Sequence, residues 1–449
     1  MTAIWEQVKA LFTIQHGSYA ERPDTPEGRA YEQGLMLERT RSLPPWPLFK
    51  LGAVYGLGPQ PAPVRVYQDG ALFFLSACLG VAALFRFADI IGQHGGGLTA
   101  EEIAKECNCR DANAVARVLR ACENWGYFES YAPNGQDLKR VANEQRLWRN
   151  TALSAMLREN HPQSARSMIV HLYVDVFPAS SVLFESMRDS SGSDLEPDQI
   201  GTSAEESYQP SPTAFERVHQ GTFWEYLARH PDRWDNFHGA MRGVDSGTTP
   251  SILQDIDWGR FLRVVDIGGA DGSLTFHLLR SYALKGVIFD MPPVVEHAKQ
   301  FWNSTPERAA MVTNGRVQFA AGDFLQGTGL PPAQEGDVYI MRNIWHDWRV
   351  QECVRIGQSI REAIGRVRNV HLIILEASID QCARGSPLER MRALVDQTML
   401  TVFGSRERDR LEFEVLLQRC GFQLTEMRPL RAPMVAVFAQ PSPTWRSPS

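Results

Sequence analysis

Three residues in the C-terminal half of the chain could handle a proton. His346 lies in "MRNIWHDW", Glu376 closes the run "HLIILEAS" and Glu407 lies in "GSRERDR". The first two follow β-rich apolar runs and the third follows a long helical stretch. Three separate segments therefore bring one imidazole and two carboxylates to the same rim. An imidazole with an ordinary pKa of about 6.5 takes up a proton near neutral pH. A carboxylate on its other nitrogen fixes the tautomer and stabilises the imidazolium that forms. Such a group suits a phenol or an enol, which is a poor nucleophile until its proton leaves. The plainer role for His346, capping a helix that begins at Asp347, is outweighed by the two Glu residues.

A second set of residues would bind rather than react. In "VVDIGGADGSL", Val264 to Leu274, a β-branched run meets glycines at 268, 269 and 272, with Asp266 just before them. A strand, a glycine turn and a helix in that order aim backbone N–H groups at a ligand. The dinucleotide spacing G-x-G-x-x-G is not met, and Asp266 would repel a pyrophosphate while suiting the ammonium and carboxylate of an amino acid. The turn at Gly268, Gly269 and Gly272 therefore favours S-adenosylmethionine over NAD. Asp290 ends "GVIFDM", 24 residues after Asp266, where a carboxylate can accept both ribose hydroxyls, and Met291 beside it is assigned to the same site. Asp323 in "AAGDFL" is placed to take the adenine amino group, with Phe324 packed on the ring. With a sulfonium nearby, the chemistry at His346 becomes methyl transfer, which needs in-line positioning and a base. Met399, Val402 and Phe403 share a helical face and are expected to line the acceptor site.

The elements that must hold these residues follow from periodicity. From Phe261 onward, "RVVDIG", "GVIFDM", "VQFAAGDF", "DVYIMRN" and "HLIILEAS" alternate with helical runs. That alternation signals an open parallel sheet with helices on both faces. The last run, "FQLTEMRPLRAPMVAVFAQ", reads as two strands joined by a short turn. The expected class is thus α/β, a Rossmann-like methyltransferase sheet with a terminal antiparallel hairpin. Before it, Thr99 and Glu102 form a capping box, Asp111 can cap the next helix, and "PNGQ" turns a wing. These features predict a mostly helical winged-helix domain, read as a dimerisation module because its second helix offers only Arg117 and Arg120 to a phosphate backbone. Four regions result: an arm of short helices over 1–70, the winged helix over 71–150, linker and pocket helices over 151–250, and the cofactor domain over 251–449.

Composition narrows the partners. A hydrophobic fraction of 43% with 22% charged residues excludes a chiefly disordered chain of 449 residues. The net charge of −6 gives no basic field, so nucleic acid is not an expected partner. Seven cysteines form no CxxC pair, and "CNC" at 107–109 is read as reduced thiols, so no metal is expected. "MTAIWEQVKALFTIQHGS" does not read as a signal peptide, which predicts a cytoplasmic protein. "ALFFLSACLGVAALF", Ala71 to Phe85, falls short of the roughly 20 residues that cross a bilayer and is expected to be a buried helix.

From about Leu72 to Phe438 the chain resembles the plant-type small-molecule O-methyltransferases and their fungal relatives. The resemblance rests on the winged-helix unit, "FWEYLARHPDRWDNFHGAM", "VVDIGGADG", "FDMP", "GDF", "HDW", Glu376 and "RERDRLEFEVLLQRCGF". It implies a homodimer whose N-terminal helices exchange between subunits, and a hydroxylated secondary metabolite as substrate. It also implies His346 as base flanked by Glu376 and Glu407, with cofactor contacts at Asp266, Gly268, Asp290, Asp323 and Phe324. Arg342, four residues before the base, stands where plant members often carry Lys, and keeps the charge in the cofactor site. Trp345 is bulkier than the usual residue there and is expected to reshape the pocket. His161 is expected on a helix over that pocket, and Ala270 replaces a glycine of the turn. Some fungal relatives are cofactor-bound pericyclases or other isomerases, so isomerisation or dehydration on the same scaffold stays open as an alternative.

Overall fold

The computed structural model describes residues 62–95, 97–190, 210–379 and 386–443. The arm through residue 61, most of the polar stretch near 188–212, and Cys382 lie outside the described residues. The chain forms two compact units, Met1–Phe74 and Leu75–Ser449. Helix α1 (Ala62–Gly70) belongs to the first, and α2 (Leu72–Leu84) begins in it. The expected apolar helix forms and is 13 residues long, but the expectation that it is buried holds for only part of it. The segment Arg65–Leu84 is long and apolar enough to cross a membrane by length and composition. Burial is confined to Leu79, Gly80, Ala82 and Ala83, while Phe73, Phe74 and Leu84 stay exposed. The apolar side chains of α2 point all round the helix, and the described residues cover only one side of it.

The following helices obey local rules. In α3 (Phe87–Gln93) five consecutive residues are buried. The α4 helix (Ala100–Glu106) starts at the expected capping box, with Thr99 accepting from Glu102 N and Glu102 reaching back to Thr99 N. The α5 helix (Ala112–Glu123) starts where Asp111 accepts from Ala114 N, and it buries Val115, Ala116, Leu119 and Cys122 on one stripe. Strands β1 (Phe128–Tyr131) and β2 (Leu147–Asn150) then pair as a two-stranded antiparallel ribbon.

A helical layer comes next, comprising α6 (Arg166–His171), α7 (Ala214–His219), α8 (Phe223–Arg229) and the long α9 (Pro231–Asp255). The sheet that follows has strands β3 (Arg263–Ile267), β4 (Lys285–Asp290), β5 (Val317–Ala321), β6 (Asp337–Arg342), β7 (His371–Glu376), β8 (Phe422–Pro429) and β9 (Val435–Pro441). Their order is β5-β4-β3-β6-β7-β9-β8, with β3 to β7 parallel and β8 and β9 antiparallel. Parallel neighbours require crossover helices, which are α10 (Ser273–Ser281), α11 (Pro292–Asn303) and α12 (Val350–Ile364). After β7 come α13 (Pro387–Phe403) and α14 (Arg410–Arg419).

Side-chain alternation along the strands feeds two cores. Val265, Ile267, Tyr339 and Ile374 pack with α12 and α14 on one face. Val264, Val338, Ile340 and Ile373 pack with α10, α11 and the end of α9 on the other. Both faces are covered, so β3 reads as a continuous apolar run broken only by Arg263 and Asp266. Arg263 survives burial because Asp337, its register partner on β6, accepts from it at 3.0 and 2.5 Å. Asp290, Arg342 and Glu376 end strands at the C-terminal edge of this sheet, and Asp323 and His346 follow closely, at the edge where doubly wound folds bind ligands.

Candidate active site

The glycine turn is held from the neighbouring strand. Gly268 N and Gly269 N both donate to Phe289 O, at 2.9 and 3.2 Å. Gly268 takes φ +68°, and a Cβ there would stand 2.4 Å from Ile344, so only glycine leaves the cradle open. Ala270 adopts φ +48°, a strained angle for a residue with a side chain, where its N–H donates to Asp290 Oδ2 at 3.0 Å. Met291 N donates to the other oxygen of Asp290 at 2.7 Å. Each oxygen of Asp290 keeps a lone pair that a hydroxyl can use. Burial pushes the Asp290 carboxyl up to about 6, against the opposing pull of those two N–H donors.

Asp266 lies beneath the turn at 3% exposure, accepting from Thr275 Oγ1 at 2.7 Å. Burial raises it too, to about 6. Its carboxylate therefore braces the start of α10. Asp323 sits two residues past β5, its Oδ1 accepting from Leu325 N at 2.8 Å. Phe324 beside it meets Trp348 edge to face at 5.7 Å. Met291 is 57% exposed on the same rim.

Arg342, at the end of β6, shows what this pocket lacks. Its Nη2 lies 2.6 Å from Asp245 Oδ2 on α9, and its buried Nη1 has no partner among the described residues. A buried guanidinium nitrogen left over beside the glycine turn fits a carboxylate, and the acids around it fit an ammonium and a diol. The donor set thus fits the amino-acid and ribose parts of S-adenosylmethionine. Asp245 went unseen in the sequence because its partner is 97 positions away.

His346 follows a sharp turn at Asn343, which takes φ +53°, a conformation Asn tolerates better than most residues. Its Nδ1 is 2.8 Å from Glu407 Oε1, and its backbone N donates to Glu376 Oε1 at 3.1 Å. The three residues picked from distant segments do meet. Asp347 joins them, with Oδ1 3.5 Å from His346 Nε2. Burial alone would lower the imidazole pKa; Asp347, Glu407 and Glu376 outweigh it and raise the group to about 10. Burial raises Asp347 to about 7 against the opposing pull of His346, and burial likewise raises Glu376.

Further residues missed in the sequence hold this turn in place. Arg408, buried, donates from Nη1 to Trp345 O and from Nη2 to Trp348 O, both at 2.8 Å. Ser405 Oγ donates to His346 O, and Asp396 Oδ1 accepts from Glu407 N at 2.8 Å. Arg408 stands next to Glu407 inside the motif already picked out, yet no local pattern shows what an Arg at that position will reach.

Two expectations about the acceptor side are corrected. Trp345 does not reshape a pocket: its ring is fully buried, stacked on Phe413 of α14 at 6.4 Å and set against Gly357 of α12. One position along a tight turn reverses a side chain, so Trp345 enters the core while His346 faces the rim. His161 is not on a helix but in the connection before α6, with Nδ1 accepting from Gln163 N at 3.1 Å. Met399 and Val402 are buried, and Val402 and Phe403 join an aromatic cluster with Phe223, where Phe403 and Phe223 meet at 5.3 Å.

Comparison with known proteins agrees with this geometry. A model of the O-methyltransferase domain matches residues 201–423, and one of the O-methyltransferase dimerisation domain matches residues 68–160. The chain is 27% identical over 373 residues to 3-O-methyltransferase 2 of Phanerochaete chrysosporium, covering 78% of this chain and 76% of that protein. The crystal structure of LaPhzM aligns with a TM-score of 0.68 at 25% identity, over 85% of this chain and all of that one. Human N-acetylserotonin methyltransferase in complex with S-adenosylmethionine aligns with a TM-score of 0.66 at 23% identity, over 85% and 99%. The chain belongs to the S-adenosylmethionine-dependent O-methyltransferase family. It is an O-methyltransferase with S-adenosylmethionine as its cofactor, and its dimerisation domain supports a homodimer.

Proposed function

We propose that the protein methylates a hydroxyl of a small aromatic or polyketide secondary metabolite, with His346 as the general base. S-adenosylmethionine, when bound, supplies an electrophilic methyl group. Arg342 holds its carboxylate end through Nη1, Asp290 its ribose, and Asp323, Phe324 and Met291 its adenine end. Glu407 orients the His346 ring through Nδ1, and Nε2, with Asp347 Oδ1 3.5 Å away, is the nitrogen that takes the acceptor proton, the surrounding carboxylates stabilising the imidazolium that results. The resting imidazole also holds a proton strongly, so the base form grows as pH rises toward about 10. The observation that carries this reading is the convergence of His346, Glu376 and Glu407 beside the cradle of Gly268 and Asp290.

The same reading makes 71–150 the dimerisation part, 151–250 the acceptor-side helices and 251–449 the cofactor domain, and puts the enzyme in the cytoplasm. It also has the 1–70 arm exchanged between subunits, with the exposed side of α2 covered by the partner copy; the exposed Phe73 and Phe74 support this. The test is mass spectrometry of the purified protein with S-adenosylmethionine and an extract of host metabolites. Formation of S-adenosylhomocysteine together with a metabolite heavier by one methyl group is the expected result. A metabolite changed without cofactor consumption would replace methyl transfer by isomerisation or dehydration.

A further inference from the structure

The mechanism leaves one buried acid–base group unused. His171 ends α6 at 7% exposure, immediately before a π-helical turn, Leu172–Val176, that contains the fully buried Asp175. His171 Nδ1 lies 2.9 Å from Asp175 Oδ2, and Tyr226 OH donates to Oδ1 at 2.9 Å. Burial, with Asp175 adding to it, holds the Tyr226 phenol far above its usual range, so it stays a donor. Each oxygen of Asp175 thus has a donor, and the carboxylate on Nδ1 sets the tautomer that leaves Nε2 with a lone pair. Among the described residues, none bonds Nε2. The ring is gripped edge-on by Phe223 at 5.7 Å and Phe237 at 5.4 Å, so it cannot swing away. A π-helical turn inside a helix recurs at functional sites because it interrupts regular bonding.

The position of this dyad ties it to both halves of the site. The α6 helix packs along α9, where Asn236 donates to Ser167 O, and α9 carries Asp245 to Arg342. On the other side, Phe223 meets Phe403 at the end of α13, whose following loop reaches His346 O through Ser405. The layer that holds His171 therefore touches the cofactor strand at one end and the catalytic loop at the other.

We propose that His171 is a specificity-determining residue of the acceptor site, its Nε2 accepting a hydrogen bond from a hydroxyl of the acceptor other than the one that is methylated. Asp175 and Tyr226 are positioning residues that act through its ring. The proposal rests on the methyl-transfer reading and narrows the acceptor to an apolar skeleton with two separated polar groups.

The test uses the full-length protein saturated with S-adenosylhomocysteine, titrated calorimetrically with 1-naphthol and with dihydroxynaphthalenes. Turnover with S-adenosylmethionine is measured in parallel. The wild type is expected to prefer a two-group probe over 1-naphthol by about tenfold, the worth of one hydrogen bond. His171→Phe, which keeps a ring, is expected to erase that preference, raising KM for two-group probes and leaving both kcat with 1-naphthol and S-adenosylhomocysteine affinity unchanged. If His171→Phe fails to bind S-adenosylhomocysteine, His171→Asn serves in its place. In 15N-histidine spectra, the Nε2 resonance of His171 is expected to shift only with two-group probes. A wild type that does not distinguish the probes, or a variant that retains the preference, overturns the proposal. Preferential binding lost in the variant, with no probe ever methylated, leaves the recognition standing and overturns methyl transfer instead.

Discussion

Two groups of buried carboxylates lie on the same sheet edge and are stabilised in opposite ways. Around the glycine turn, Asp266 and Asp290 are bonded by a hydroxyl and two backbone N–H groups, and burial drives both up to about 6. Around His346, Glu376, Glu407 and Asp347 face an imidazole that they raise to about 10. On the cofactor side Asp266 and Asp290 are hydrogen-bonded by neutral donors, with polar capacity left for a ligand. The acceptor side has already closed its charge internally, and it offers a ligand a place for a proton only as pH rises toward about 10. Burial costs the same kind of desolvation in both places, and the partner decides what the carboxylate can do.

The sharpest break of this contrast is His346→Ala. Turnover is expected to fall about 10²- to 10⁴-fold, the usual worth of a general base, while the dissociation constant for S-adenosylmethionine stays unchanged in calorimetry. Loss of both together would mean that the two groups are not separate. Asp290→Ala is the converse change: cofactor affinity is expected to drop on the order of 10- to 100-fold as the turn loses its anchor, with kcat at saturating cofactor less affected.

Glu407→Gln sharpens the acceptor side alone. Removing one negative charge lowers the proton affinity of His346, so the rising limb of the kcat/KM profile moves to lower pH. The alkaline plateau falls by about tenfold because a weaker base is left. A limb that stays in place would mean that Glu407 only positions the ring. The smallest effect is expected from Ala270→Gly, which relieves a left-handed residue at φ +48°. Thermal unfolding is expected to show a gain of about 1 kcal/mol with no change at the His346 end.

Much of this was legible beforehand, and each miss has a cause. The strands, the terminal hairpin, the Thr99 and Asp111 caps, and the meeting of His346 with Glu376 and Glu407 agree with the structure. Trp345 failed because neighbours on a tight turn point opposite ways, and resemblance to a pocket position does not reveal which way. The α2 helix failed because apolar composition does not say which side finds a partner.

What the sequence determined by itself is the order of strand, turn and helix, and the carboxylates at strand ends. These depend on side-chain periodicity and on hydrogen bonds that close within a few residues, so they travel with the local chain. The tertiary structure alone decided the Asp245–Arg342 pair, the Arg408 clamp on the His346 turn, and the approach of Tyr226 to Asp175. Those contacts join residues 51 to 97 positions apart, and their geometry follows from how helices pack on the sheet. That packing is a property of the assembled cores and is not carried by any short stretch of chain.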